Sequence, residues 1–146
     1  MSISDELKSG ITTGSADETL EVAQAFGAHL PIDTVLALSG DLGAGKTTFV
    51  RGLARAWDID GPITSPSYTL VNIYRGNRTL VHVDAYRLED PGTVDALMIE
   101  DFLHSPYALA IEWPEKMGDW LPDSALMLKL GLGSDGKHTL RLEDRA

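Results

Sequence analysis

Apolar positions along this chain switch between two rhythms. Leu20, Ala23, Phe26, Gly27 and Leu30 recur at helical spacing. They follow Ser15-Ala16-Asp17-Glu18, an S-x-x-E capping box in which the serine and glutamate side chains serve the first unpaired amides. The pattern predicts a helix from about Ala16, ended by Pro31. Thr34 to Ser39 (TVLALS) is short, apolar and rich in strand formers, and reads as a buried strand. A glycine-rich turn, Gly40 to Gly45, leads into Thr47 to Trp57, where Phe49, Val50, Leu53, Ala54 and Trp57 form the apolar side of a second helix.

Asp58 to Pro66 is predicted loop, punctuated by Gly61, Pro62 and Pro66. Tyr68 to Tyr74 alternates as a strand, Gly76-Asn77 is a hairpin turn, and Thr79 to Asp84 is the returning strand. Asp90-Pro91 opens a predicted helix running to about Leu103, with proline at the first helical position. Tyr107 to Glu112 is another buried strand, and Pro114 to Pro122 reads as irregular. Ala125 to Leu132 and His138 to Leu142 form a terminal hairpin around Gly133-Ser134-Asp135-Gly136. No repeat or linker interrupts this order, and 146 residues suit one domain, 1–146. The expected architecture is α/β, with a central mixed β-sheet flanked by helices.

Charge narrows the function. Twelve Lys and Arg face 22 Asp and Glu, for a net charge of −10. Proteins that grip nucleic acid directly neutralise phosphates with a basic face, and no Lys/Arg cluster appears here. The acidity serves either solubility or an acidic docking surface. With no cysteine, disulfides and thiolate metal sites are excluded. The acidic start, MSISDELKSG, is unlike a signal peptide, and no apolar run approaches the ~20 residues that span a bilayer. A soluble, cytoplasmic protein without membrane contact is expected.

The strongest chemical signal is Gly40-Asp41-Leu42-Gly43-Ala44-Gly45-Lys46-Thr47, which fits G-x-x-x-x-G-K-[ST], the phosphate loop of P-loop NTPases, between a buried strand and a helix. Glycines let main-chain amides approach phosphates, successive N–H groups form an anion nest, and the helix start adds its dipole. Lys46 is placed to reach the β- and γ-phosphates, and the Thr47 hydroxyl to ligate Mg²⁺. Asp41, Leu42, Gly43, Ala44, Gly45, Lys46, Thr47 and Thr48 are the expected nucleotide-binding positions. Hydrolysis also needs an acid at a neighbouring strand end. Asp84, closing LVHVD, and Glu112, closing ALAIE, compete for that role. Thr64-Ser65-Pro66-Ser67-Tyr68 is either a nucleotide-sensing loop or an ordinary turn. Arg87 is a weak candidate for transition-state charge, His82 reads as a structural histidine, and His29, His104 and His138 show no ligand spacing. Trp57 reads as core, whereas Trp113 is either core or a wall of the site. A small-molecule kinase would need an arginine-bearing lid, and none is evident. A GTPase would need N-K-x-D, which is absent. A nucleotide-gated binding module without turnover stays open.

Four strings in order, GDLGAGKTTFVRG, SPSYTLVNIY, HVDAYRLED and IEWPEKMGDWLP, resemble the TsaE (YjeE) family of tRNA threonylcarbamoyladenosine (t6A) biosynthesis ATPases. The resemblance covers nearly the whole chain. It implies a single-domain P-loop fold binding ATP and Mg²⁺, slow in hydrolysis until assembled with TsaB and TsaD. The partner complex would modify adenosine 37 of ANN-decoding tRNAs, so tRNA is reached only through the partners. The family's phosphate loop falls on Gly43 to Thr48, with Lys46 among the catalytic residues. Its magnesium ligands fall on Thr47 and Glu112, its essential strand-end acid on Asp84, and its S-P-T-[FY] motif on Ser65 to Tyr68. Further nucleotide contacts are implied near the first helix and near Leu132. Ser67 departs from the family's usual threonine, keeping the hydroxyl and losing a methyl.

Overall fold

The computed structural model describes residues 2–41, 43–64, 71–88 and 98–143. The predicted capping box starts a helix as expected. The Ser15 hydroxyl accepts from the Glu18 amide at 3.2 Å, and the Glu18 carboxylate reaches back to the Gly14 amide at 2.8 Å. This helix, α2, spans Ala16–His29. It is preceded by a short α1, Ile3–Ser9, capped by Ser2, and a three-residue strand β1, Ile11–Thr13. Strand β2 (Thr34–Ser39) enters α3 (Lys46–Ala56) through the glycine-rich turn. Strands β3 (Val71–Arg75), β4 (Thr79–Asp84), β5 (Tyr107–Glu112), β6 (Leu126–Leu132) and β7 (His138–Glu143) follow.

One seven-stranded mixed sheet results, in the order β1-β7-β6-β2-β5-β4-β3. Its centre is parallel: β2 pairs with β5 and β6, and β4 with β5. Both margins are antiparallel, through β3–β4 and through β6–β7–β1. The parallel strands are continuous apolar runs because they are covered on both faces. On one face Leu36, Leu38, Leu80, Ala110, Leu128 and Leu140 pack against the helices through Leu7, Phe26, Phe49 and Leu53. On the other, Val35, Ala37, Val81, Leu109 and Ile111 are covered by Ile99, Met117 and Leu121 from the crossover segments.

Helices α2 and α3 touch through glycines. A Cβ at Gly52 would lie 2.4 Å from the Ala23 Cβ, and one at Gly27 would lie 2.9 Å from that of Ala56. The Trp57 indole closes the seam by donating to the Gly27 carbonyl at 3.0 Å, which makes Trp57 core.

Several elements depart from the sequence expectation. Of the helix expected over 90–103, residues 90–97 lie outside the described ones. The rest is a 3₁₀ helix, Ile99–Phe102, started by Met98 at φ 54. The irregular stretch after Pro114 is a second 3₁₀ segment, Pro114–Trp120, interrupted at Gly118. The first hairpin strand is described from Val71 onward. Among the described residues no helix is long and apolar enough to cross a membrane.

Candidate functional site

Three parallel strands end on one edge of the sheet. In register, Asp84 stands beside Glu112, and Glu112 beside Leu38, one residue before β2 ends. The chain leaves that edge through Gly40, whose φ of +146 and 2.4 Å Cβ approach to the Leu130 carbonyl exclude a side chain. The turn is held internally by the Ala44 amide, which donates to the Asp41 carbonyl at 3.1 Å. Gly45, at φ +100, is the N-cap of α3 and offers no side chain to cap it. The amides of Lys46, Thr47 and Thr48 therefore form the first turn of the helix, at the positive end of its dipole.

Lys46 is buried, donates from Nζ to the Gly40 carbonyl, and lies 3.7 Å from the centroid of the Trp113 ring. Burial lowers its pKa, against the opposing pull of Glu112, Asp84, Glu115 and Asp41. Glu112 is also buried. Its Oε2 accepts from the Thr47 hydroxyl at 3.2 Å and from Nε2 of His82 at 2.6 Å. His82 therefore has a direct partner in the site, beyond the structural reading of it. The Asp84 carboxylate accepts from the Tyr86 amide at 3.0 Å. Burial raises its pKa; the Tyr86 bond opposes the rise, Glu112 adds to it, and His82 and Lys46 oppose it.

These groups surround a cavity of about 390 Å³. Gly43, Gly45, Lys46, Thr47, Thr48, Asp84 and Glu112 line it, so the two acids and the glycine loop are gathered in one place. Ala44 is buried within the turn behind them, and Asp41 is exposed at the turn's start. Leu42 and Ser67 lie outside the described residues. Leu132 is 56% exposed, opposite His138 at the end of β6, and is not part of the cavity wall. Arg87 is exposed and also off the wall. Trp113 is a wall residue, its ring tilted against that of Tyr86 with centroids 5.0 Å apart.

Sequence reasoning did not single out Tyr86, His138, Ala16 or Thr19, which complete the lining. Ala16 and Thr19 come from the start of α2, where the family resemblance implied a contact. Tyr86 stands two residues beyond Asp84. His138 arrives from a strand 94 residues beyond Ala44, where no local pattern announces it. Chemically, the site offers main-chain donors and one ammonium for an anion, beside a hydroxyl and a carboxylate close enough to share one hard cation.

Residues 13–140 match the family described as Threonylcarbamoyl adenosine biosynthesis protein TsaE. The tRNA threonylcarbamoyladenosine biosynthesis protein TsaE of Nostoc sp. (strain PCC 7120) is 40% identical over 127 residues, covering 84% of this chain and 77% of its own length. The protein of the same name from Mycobacterium tuberculosis (strain H37Rv) is 35% identical over 138 residues, covering 84% and 82%. Among solved structures, the crystal structure of Bacillus subtilis YdiB superposes with a TM-score of 0.77 at 28% identity, covering 91% of this chain and 82% of that one.

Proposed function

The chain belongs to the TsaE family of threonylcarbamoyl adenosine biosynthesis proteins, and from that premise we propose that it is the Mg²⁺-dependent ATPase subunit of the bacterial tRNA t6A-modifying machinery. The observation that carries the reading is the 3.2 Å contact between Thr47 and Glu112 beside the first turn of α3. It joins a metal-binding oxygen pair to an anion cradle, as nucleotide hydrolysis requires.

The amides of Gly43 to Thr48 bind the phosphates, and Lys46 swings from the Gly40 carbonyl to the β- and γ-phosphate oxygens. Thr47 and Glu112 would hold the Mg²⁺, which when bound neutralises charge on those oxygens. Asp84, on the neighbouring strand end, orients the attacking water. Its raised pKa suits a group that takes part in moving a proton. Catalysis on this account is positioning and electrostatics, with little covalent work for the protein. The alternatives are a small-molecule kinase and a binding module that never turns over.

A chain of net charge −10 is a poor direct ligand for tRNA. TsaB and TsaD are the partners proposed to hold it, in the cytoplasm, and to stimulate an otherwise slow hydrolysis. Calorimetric titration with ATP and GTP in magnesium, followed by phosphate release with and without TsaB and TsaD, tests this. Uptake of ATP and partner-stimulated release are expected. ATP held without release in the full assembly would overturn the hydrolytic role, and a phosphorylated small acceptor would point to a kinase.

A further inference from the structure

His138 reaches the phosphate loop from β7, which is separated from β2 by β6 alone. Its main chain is fixed between two strands, opposite Leu132 of β6 and Thr13 of β1. Its Nδ1 lies 3.0 Å from the Ala44 carbonyl oxygen, and its ring packs over Gly45, where a Cβ would stand 3.5 Å from Nδ1. A carbonyl oxygen only accepts, so Nδ1 is the donor and carries the proton.

The carbonyl of Ala44 and the N–H of Gly45 belong to one planar trans peptide and point in opposite directions. On either side of that peptide the turn is already tied. The Ala44 amide donates to the Asp41 carbonyl, and the Gly45 carbonyl accepts from the Phe49 amide at 2.9 Å. The peptide between them is flanked by glycine at φ +100, whose conformational freedom lets it turn over at small cost. Such a turn would aim a carbonyl oxygen, instead of an N–H, at an incoming anion.

We propose that His138 is a positioning residue for the anion cradle: by holding the Ala44 carbonyl it keeps the Gly45 N–H aimed at the nucleotide's phosphates. This rests on the nucleotide-binding reading above, and it assigns the β6–β7 hairpin a task at the site. The His138 bond goes to the loop's own peptide, so its effect is on phosphate binding more than on the metal pair.

Two variants of the full chain test it. His138→Phe keeps a flat ring without a donor. His138→Asn places an amide nitrogen the same number of bonds from the backbone as Nδ1. Each is titrated calorimetrically with a non-hydrolysable ATP analogue in magnesium and melted thermally without ligand. His138→Phe is expected to bind about tenfold more weakly, the weight of one net hydrogen bond, with a melting temperature only about 2–4 °C below that of the unaltered chain. His138→Asn is expected to restore binding to within about twofold of the unaltered chain, because the donor is restored. Unaltered affinity in His138→Phe, or equal loss in both variants, overturns the proposal. If His138→Phe does not fold, His138→Ala is the donor-free comparison. Failure of the unaltered chain to bind the analogue instead overturns the nucleotide reading itself, and this inference with it.

Discussion

Nε2 of His82 lies 2.6 Å from Oε2 of Glu112, and both side chains are shut away from solvent. The two sit on adjacent parallel strands, where Asp84 is level with Glu112 and His82 stands two residues behind. His82 therefore backs the carboxylate from within the sheet while Thr47 meets it from the helix. Nδ1 of His82 has no partner among the described residues. Replacing His82 by Leu leaves Glu112 buried with one donor fewer, and is expected to cost about 1–3 kcal/mol in urea unfolding. His82→Gln, which restores a donor, should recover part of that loss. An unchanged unfolding midpoint in His82→Leu would mean that the contact contributes nothing.

Lys46 and Glu112 should separate in their effects. Lys46→Ala removes the cation of the cradle and is expected to abolish measurable ATP binding. Glu112→Gln keeps the shape, removes the charge, and should lower partner-stimulated turnover on the order of 10²-fold, with a smaller effect on nucleotide affinity. Titration calorimetry and phosphate release measure the two quantities. Equal losses of binding and rate in Glu112→Gln would reject its assignment to the metal.

Asp84 gives a signed pH dependence. Burial raises its pKa above the ordinary 3.8, so the folded chain holds this proton more tightly than the unfolded chain. Stability contributed by the neutral acid is present below 3.8 and is lost as pH rises through the raised value. Asp84→Asn keeps the acceptor for the Tyr86 amide and carries no charge. It should melt higher than the unaltered chain at neutral pH, with the difference vanishing in acid below the ordinary value, and it should lose turnover. A lower neutral-pH melting temperature in Asp84→Asn would contradict the assignment.

Gly52 should not tolerate a methyl group. Alanine there would gain about 0.5–1 kcal/mol from helix propensity. Its Cβ, however, would meet the Ala23 Cβ at 2.4 Å and the Leu20 carbonyl oxygen at 2.6 Å. Overpacking of this kind costs about 1–3 kcal/mol, so net destabilisation is expected in urea unfolding. Because α2 carries Ala16 and Thr19 to the cavity, ATP affinity should fall as well.

The central sheet was legible in the sequence because its parallel strands are buried on both faces. Thr34–Ser39, Thr79–Asp84 and Tyr107–Glu112 stand out as apolar runs, with the bounds observed. The capped start of α2 was legible from Ser15 and Glu18. Strand β1, with three residues, and helix α1, with Leu7 its one buried side chain, are too short for a period to register. Asp84 and Glu112 were visible as strand-end acids, but only the β4–β5 register makes them neighbours. His82 and His138 were opaque for the same reason: each meets a residue distant in sequence, Glu112 and Ala44, that only the tertiary fold brings near.

The acids that pull on Lys46 have a consequence of their own. Asp41, Asp84, Glu112 and Glu115 all act on that single ammonium, so negative charge predominates around it. A bare polyphosphate arriving there would be pushed back, while one already escorted by a divalent ion would be welcomed. The pocket is thereby expected to sense the metal-complexed share of a cell's nucleotide pool instead of its total.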